Sequence, residues 1–357
     1  MSKKIVINSD LNLKLMCKEL FKQMGFCTHY EIQLRTKSYI SSYKTHDISD
    51  IDVYGYKFNA DLSLFSIGSE CKSGETGALE ELFKFLGVYD YYDLDRGYLI
   101  KTKIHQNARQ VASKNGLICF TESEIRQILL GQDIDVDKIL KIGNAQYLKL
   151  QQCVNNFKAK NEKLIDYIKF DYWNRENWRN IHNLMHLLSN PHNEEFFPND
   201  NLHMKTNDKL VYYHVLELLI LCILKNISKS IVLSYSDISS SLIISLYGGA
   251  ESLNEKRKLH DLVSQATSSN NPFEPSWQYD LIHISTRFAE ATMAASKMPE
   301  LVQEILDYSF YEDKVIIKPT LLKKYPDLTR KFVQDVIQFI QRHCKIDLNI
   351  FEDFMKL

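Results

Sequence analysis

The hydrophobic pattern changes once along the chain, and this change limits the folds that the sequence can adopt. Up to about residue 130, short alternating runs typical of strands are separated by segments of helical periodicity, whereas from Val136 onward the periodicity is almost entirely helical. The predicted order in the first part is α-β-β-β-α-β-α-β-α, which favours a mixed sheet flanked by helices. We therefore predict an α/β domain at residues 1–132 and an all-α domain at residues 136–357, separated within the acidic stretch Gly131–Asp137.

Composition narrows the class of protein. The 357 residues are enough for two domains, and the formal net charge of −1 gives no overall attraction to nucleic acid, so any DNA-binding face must be local. The 7 cysteines are scattered without a Cys-x-x-Cys pair, which favours a reducing cytoplasm over a disulfide framework. The most apolar run, Val215–Leu224, is too short to span a bilayer and contains Glu217, so we expect no membrane association.

Acidic and basic side chains mark two neighbouring strands of the predicted sheet. The first strand contains Asp50 and Asp52 within an alternating run, and the second ends in Ser69-Glu70-Cys71-Lys72. Because strand side chains alternate between faces, Glu70 and Lys72 should point the same way and Cys71 into the opposite layer. If the two strands form a hairpin, Asp52, Glu70 and Lys72 converge at one edge of the sheet.

This set of residue types suits phosphodiester hydrolysis. Two carboxylates on rigid backbone can hold a hard cation such as Mg²⁺ and leave positions for water and a phosphate. The cation polarises the phosphoryl oxygen and lowers the pKa of a bound water. A lysine beside that water can deprotonate or orient it, or stabilise the charge that develops on the phosphate.

The pattern of Asp52 followed by Glu70-Cys71-Lys72 resembles the PD-(D/E)xK signature of restriction-endonuclease-like nucleases, and is most similar to Mrr-type endonuclease domains. The resemblance implies a restriction-endonuclease-like fold and DNA hydrolysis with Mg²⁺, for which Mn²⁺ can substitute. It also implies that Asp52 and Glu70 are metal ligands and that Lys72 is the catalytic lysine. Glu19 on the first helix is a further candidate ligand, and Asp50 a supporting residue.

Other polar residues are candidates for contacts with the substrate. By the same resemblance, Gln106 would face the site from a later helix. Lys37, Lys44 and His46 precede the motif in a loop with interleaved tyrosines, and such residues can hold phosphates and stack on bases. An ordinary surface loop explains the same composition.

A zinc site is a further alternative in the helical region. His182 and His186 are spaced i, i+4, which places them on one face of a helix. The segment between them lacks the glutamate that follows the first histidine in the His-Glu-x-x-His metalloprotease motif.

The leading hypothesis is a Mg²⁺-dependent DNA endonuclease in a bacterial defence or DNA-processing system. Its helical domain would bind DNA, a partner of a larger defence complex, or a second copy in a homodimer. A non-catalytic nuclease-fold scaffold that acts through protein or nucleic-acid binding is the first alternative, and an RNA nuclease is the second.

Overall fold

The computed structural model describes residues 9–35, 47–75, 77–158, 161–189, 206–234, 236–268, 271–311 and 319–357. The chain forms two compact units. Unit 1 comprises Met1–Lys57, Phe65–Gln152 and Tyr167–Asn174, and unit 2 comprises Phe58–Leu64, Cys153–Asp166 and Arg175–Leu357.

The first part of the chain has the element order that the hydrophobic pattern predicts. Its elements are α1 (Ser9–Gln23), β1 (Cys27–Arg35), β2 (Asp47–Phe58), β3 (Leu64–Lys72), α2 (Ala78–Tyr91), β4 (Arg96–Lys101), α3 (Gln106–Lys114), β5 (Leu117–Thr121), α4 (Glu122–Leu130) and α5 (Val136–Lys158). The predicted combination of a sheet flanked by helices and a helical C-terminal region is confirmed at this level.

The five strands form one mixed sheet in the order β1-β2-β3-β4-β5. Strands β1 and β2 are antiparallel, whereas β3, β4 and β5 run parallel. The turn between the neighbouring strands β2 and β3 is closed by a 2.9 Å hydrogen bond from the Asn59 N–H to the Ser63 carbonyl. This short connection places the two motif strands side by side.

Helix α1 covers one face of the sheet because its apolar residues recur every three or four positions. Its buried residues in the core of unit 1 are Leu13, Met16, Cys17, Leu20 and Phe21. They pack with Val53 of β2 and with Ile67 and Cys71 of β3. The Cys17 thiol also donates to the Ser69 hydroxyl across 3.2 Å. The side chain of Cys71 therefore lies in the layer under α1, on the face that the strand alternation predicts.

Unit 1 extends beyond the predicted boundary at residues 133–135. Val136 belongs to the core cluster of unit 1 and Leu140 packs against it. Gly143 lies so close to Leu15 that an added Cβ would be 2.6 Å from a Leu15 methyl group. The first part of α5 thus buries its apolar face against α1, and the division between the units falls within α5, between Gln152 and Cys153.

A later segment returns to complete unit 1. It consists of a π-helical turn (Tyr167–Asp171) followed by the short helix α7 (Tyr172–Asn174). The Asn174 amide accepts from the Arg35 N–H at 2.8 Å and donates to the Gln33 carbonyl at 2.9 Å. These bonds satisfy backbone groups of the edge strand β1, which would otherwise be open to pairing with another chain.

Apart from turns, connecting segments and the hairpin segment Phe58–Leu64, the described residues of unit 2 are helical. Besides the end of α5, its helices are α6 (Glu162–Asp166), α8 (Asn177–Leu188), α9 (Thr206–Leu233), α10 (Ile238–Leu246), α11 (Ala250–Thr267), α12 (Gln278–Glu290), α13 (Thr292–Ala295), α14 (Met298–Tyr311), α15 (Pro319–Lys324), α16 (Asp327–Cys344), a 3₁₀ turn (Leu348–Phe351) and α17 (Glu352–Met355). Helix α9 carries the apolar run Val215–Leu224, all of it buried, and α8, α10, α12, α14 and α16 pack around it. Among the described helices, none combines the length and the apolar character needed to cross a membrane.

Close packing of α2 on the sheet depends on Gly97 in β4. A Cβ at this position would lie 2.3 Å from a Leu117 methyl group and 2.9 Å from the Phe85 ring. We predict that Gly97→Ala lowers the free energy of unfolding by about 1–3 kcal/mol through overpacking. Gly87→Ala is the matched control, because its Cβ would meet nothing within 4 Å. It should instead raise stability by about 0.5–1 kcal/mol through helix propensity. Urea titrations of both variants measure the difference, and equal effects would contradict this account.

Candidate active site

The structure brings together the three residues predicted to be catalytic. The Lys72 ammonium lies 3.0 Å from Glu70 Oε1 and 3.6 Å from Asp52 Oδ2. Since one ammonium group reaches both carboxylates, the distance between their oxygens cannot exceed the sum of these two values. Glu70 and Lys72 share a face of β3, and Asp52 reaches them from β2.

Asp52 is the most enclosed member of the site, with an exposed fraction of 0 %. Its Oδ2 accepts a 2.7 Å hydrogen bond from the Cys71 N–H. Its Oδ1 lies 2.7 Å from the ammonium of Lys14. A carboxylate at this depth remains ionised only if such partners replace its lost hydration.

Lys14 is a central residue that the sequence analysis did not identify. It comes from α1 and lies 2.8 Å from Glu31 Oε1 as well as contacting Asp52. Glu31 in turn accepts a 2.8 Å hydrogen bond from the Tyr147 hydroxyl of α5. Burial by itself would lower the pKa of Lys14, but the Asp52 and Glu31 charges outweigh it and raise that pKa, so Lys14 carries a full charge at neutral pH.

One signal in the sequence pointed to Lys14. The residue lies on the apolar face of α1, in phase with Cys17 and Phe21 at i+3 and i+7. A lysine in the middle of a buried helix face needs a carboxylate partner. The helical periodicity therefore predicts that Lys14 has a carboxylate partner, but it does not predict which strand carries that carboxylate.

The pKa of the Glu70 carboxyl is raised into the neutral range. Burial, followed by the negative charge of Asp52, raises its pKa to about 7, and the Lys72 charge only partly opposes the rise. The pKa of Lys72 is also set by burial and by neighbouring charges, but here the neighbouring charges prevail. Burial would lower its pKa, but the Asp52 and Glu70 charges raise it, so Lys72 is a cation at neutral pH.

Two further acidic residues lie beside the motif. Burial and the charge of Asp52 raise the pKa of Asp50, the predicted supporting residue. Asp10 at the start of α1 accepts a 2.5 Å hydrogen bond from the Ser73 N–H. Burial would raise the pKa of Asp10, but its bonds to Ser73 prevail and lower it. The bond to Ser73 links the beginning of α1 to the end of the Glu70–Lys72 strand.

The donor set fits a hard divalent cation. The carboxylates of Glu31, Asp52 and Glu70 pair with the two ammonium groups of Lys14 and Lys72. Asp10 and Asp50 also interact electrostatically with these two lysines. When all are ionised, the cluster has an excess of negative charge, which the raised pKa values of Glu70 and Asp50 reflect. A cation with oxygen ligands would supply the missing positive charge.

The remaining predicted site residues are placed as follows. Glu19 accepts a 2.7 Å hydrogen bond from the Gln23 side chain on its own helix. Gln106 begins α3 and lines a surface depression with Arg109, Gln110, Ser113 and Lys114. Lys37, Lys44 and His46 lie outside the described residues.

The two histidines of α8, His182 and His186, lie in different surroundings. His182 lies 3.2 Å from the Leu246 carbonyl, and its ring packs at 5.1 Å from that of Trp277. Burial lowers the pKa of His182. His186, one turn later, is exposed. These contacts account for His182 as part of the core of unit 2.

Comparisons of the chain with models of protein families, with curated proteins and with solved structures give no match.

The pKa of Glu70 has a consequence for stability. The folded protein keeps a proton on Glu70 up to about pH 7, whereas the ordinary value is 4.5, so wild-type stability falls as pH rises through this window. Glu70→Gln carries no charge at any pH. In chelator-treated buffer, we predict that its stability relative to wild type increases by about 2–3 kcal/mol between pH 5 and pH 8.

Denaturant titrations of both proteins at the two pH values measure this change. Glu80→Gln is the control, since Glu80 is exposed and paired with Lys84 on α2. A relative stability of Glu70→Gln that is the same at both pH values would contradict the environment described for Glu70.

Proposed function

We propose that the protein is a Mg²⁺-dependent nuclease of the restriction-endonuclease-like class that hydrolyses DNA phosphodiester bonds. The observation that carries the proposal is the convergence of Asp52, Glu70 and Lys72 through one ammonium group, on two neighbouring strands of a mixed sheet. Ion pairing alone explains such a cluster less well, because its carboxylates outnumber its cations and two of them, Asp52 and Glu70, are buried.

Asp52 and Glu70 would hold the metal ion. When bound, the ion polarises the phosphate and lowers the pKa of a water ligand. The Cys71 N–H fixes the Asp52 carboxylate, so this ligand is oriented before any cation arrives. Glu70 has to lose its proton to act as a ligand, and its pKa of about 7 permits this at neutral pH.

Lys72 suits charge stabilisation better than base catalysis. Its raised pKa keeps the ammonium protonated at neutral pH, so it has no free electron pair with which to accept a proton. A fixed cation beside the metal ligands instead stabilises negative charge on the phosphate in the transition state. We therefore assign Lys72 the role of stabilising charge on the phosphate, and not the role of a general base.

The cellular setting and the partners follow from the family resemblance. A role in bacterial defence or DNA processing, in the cytoplasm, matches Mrr-type nucleases. Cleavage of both strands usually needs two such sites, which favours a homodimer. We assign substrate or partner binding to the helical unit 2, since the formal net charge of −1 requires any DNA-binding face to be local.

A non-catalytic scaffold is the second candidate, and one observation favours it. Both oxygens of Asp52 already have partners, Lys14 and the Cys71 N–H. Calorimetry with Mn²⁺ separates the two functions, because a scaffold would show no binding and no effect of Asp52→Asn on the titration. A nuclease would bind Mn²⁺ and lose this binding in the variant.

Cleavage assays test the site. With Mg²⁺ or Mn²⁺ and supercoiled, linear or single-stranded DNA, we predict that Asp52→Asn, Glu70→Gln and Lys72→Gln each reduce the cleavage rate by at least ~100-fold, because each removes a ligand or a charge needed in the transition state.

The matched controls are Glu80→Gln and Lys84→Gln, which make the same chemical changes in an exposed ion pair on α2. Both should cut at the wild-type rate. Equal cutting by the site variants and the controls would refute the site, and faster cleavage of RNA than of any DNA would assign the nuclease to RNA.

A further inference from the structure

We propose that Lys14 takes the place of a second metal ion, so that the site binds one divalent cation rather than two. This inference rests on the proposed function, since it concerns the cation that Asp52 and Glu70 would hold. It assigns a role to a residue outside the motif, on a different element of unit 1.

The contacts of Lys14 resemble those of a bound cation. Its ammonium lies 2.7 Å from Asp52 Oδ1 and 2.8 Å from Glu31 Oε1, bridging carboxylates of two strands. Metal ions bridge carboxylates with oxygen–metal distances of roughly 2.0–2.6 Å, only slightly shorter than these contacts. The ammonium therefore fills the position between these carboxylates that a second ion would need.

The position of Lys14 is fixed on every side. Its side chain is 11 % exposed, and its backbone belongs to a helix whose neighbouring residues form the core of unit 1. Its partner Glu31 is held by the Tyr147 hydroxyl at 2.8 Å, and Asp52 is held by the Cys71 N–H at 2.7 Å. A group held in this way would remain in place if Asp52 and Glu70 bound a cation.

The charge of Lys14 replaces part of what a second ion would supply. The ion-paired carboxylates of Glu31, Asp52 and Glu70 carry three negative charges when ionised, against two positive charges on Lys14 and Lys72, and Asp10 and Asp50 add negative charge nearby. Because Lys14 already brings positive charge to Asp52 and Glu31, a single divalent ion offsets most of the remaining negative charge. Without Lys14, the excess negative charge grows and the space between Asp52 and Glu31 opens.

The stoichiometry of Mn²⁺ binding tests this inference. At pH 8, after removal of metals with chelator, calorimetry and electron paramagnetic resonance of free Mn²⁺ should give one ion per chain for wild type and two for Lys14→Ala. Lys14→Arg keeps the charge and should bind one ion. Lys84→Ala, an exposed lysine on α2, is the control and should also bind one.

A stability measurement covers the case in which Lys14→Ala folds poorly. Asp52 and Glu31 would then face each other without a cation, so the thermal midpoint should fall in chelator and recover with Mn²⁺ by more than that of wild type. A variant that Mn²⁺ fails to restore, or that binds one ion, overturns the inference. Two ions in wild type also overturn it but leave the proposed nuclease intact, whereas no binding by wild type removes the nuclease proposal itself.

Discussion

The buried carboxylate of Asp52 is the interaction on which the organisation of unit 1 depends. A carboxylate with no solvent contact requires partners worth several kcal/mol, or it would be protonated or expelled. Here α1 supplies the Lys14 ammonium and β3 supplies the Cys71 N–H and Lys72. Helix α5 contributes indirectly, through the Tyr147 bond to Glu31. The contacts of one side chain thus connect β2 with both α1 and β3.

The convergence of Asp52, Glu70 and Lys72 could be predicted from local rules. Strand alternation places Glu70 and Lys72 on one face, and the short turn at Asn59–Ser63 makes their strand a neighbour of the strand of Asp52. Lys14 could not be predicted in the same way. Periodicity places it on the buried face of α1, but its partners lie in β1 and β2, and no local rule gives the angle at which a helix crosses a sheet.

The limits of unit 1 show the same difference between local and long-range information. The acidic stretch Gly131–Asp137 indicates a break between elements, and a loop between α4 and α5 lies there. The helix that follows nevertheless packs through Gly143 against Leu15, more than a hundred residues earlier. Likewise, nothing near Asn174 in the sequence indicates that its amide bonds to the edge strand at Gln33 and Arg35. Such contacts depend on shape complementarity between distant segments.

The alternation of β3 also bears on which metals the proposed site would accept. Cys71 lies between two site residues in the sequence, yet its side chain is buried in the layer under α1, and burial raises the pKa of its thiol well above the ordinary value. Soft ions such as Cu⁺ prefer thiolate or thioether ligands, and the motif side chains present only carboxylates and an ammonium. The pleat of a single strand therefore separates a sulfur atom from the carboxylate oxygens, and would favour hard ions at the proposed site.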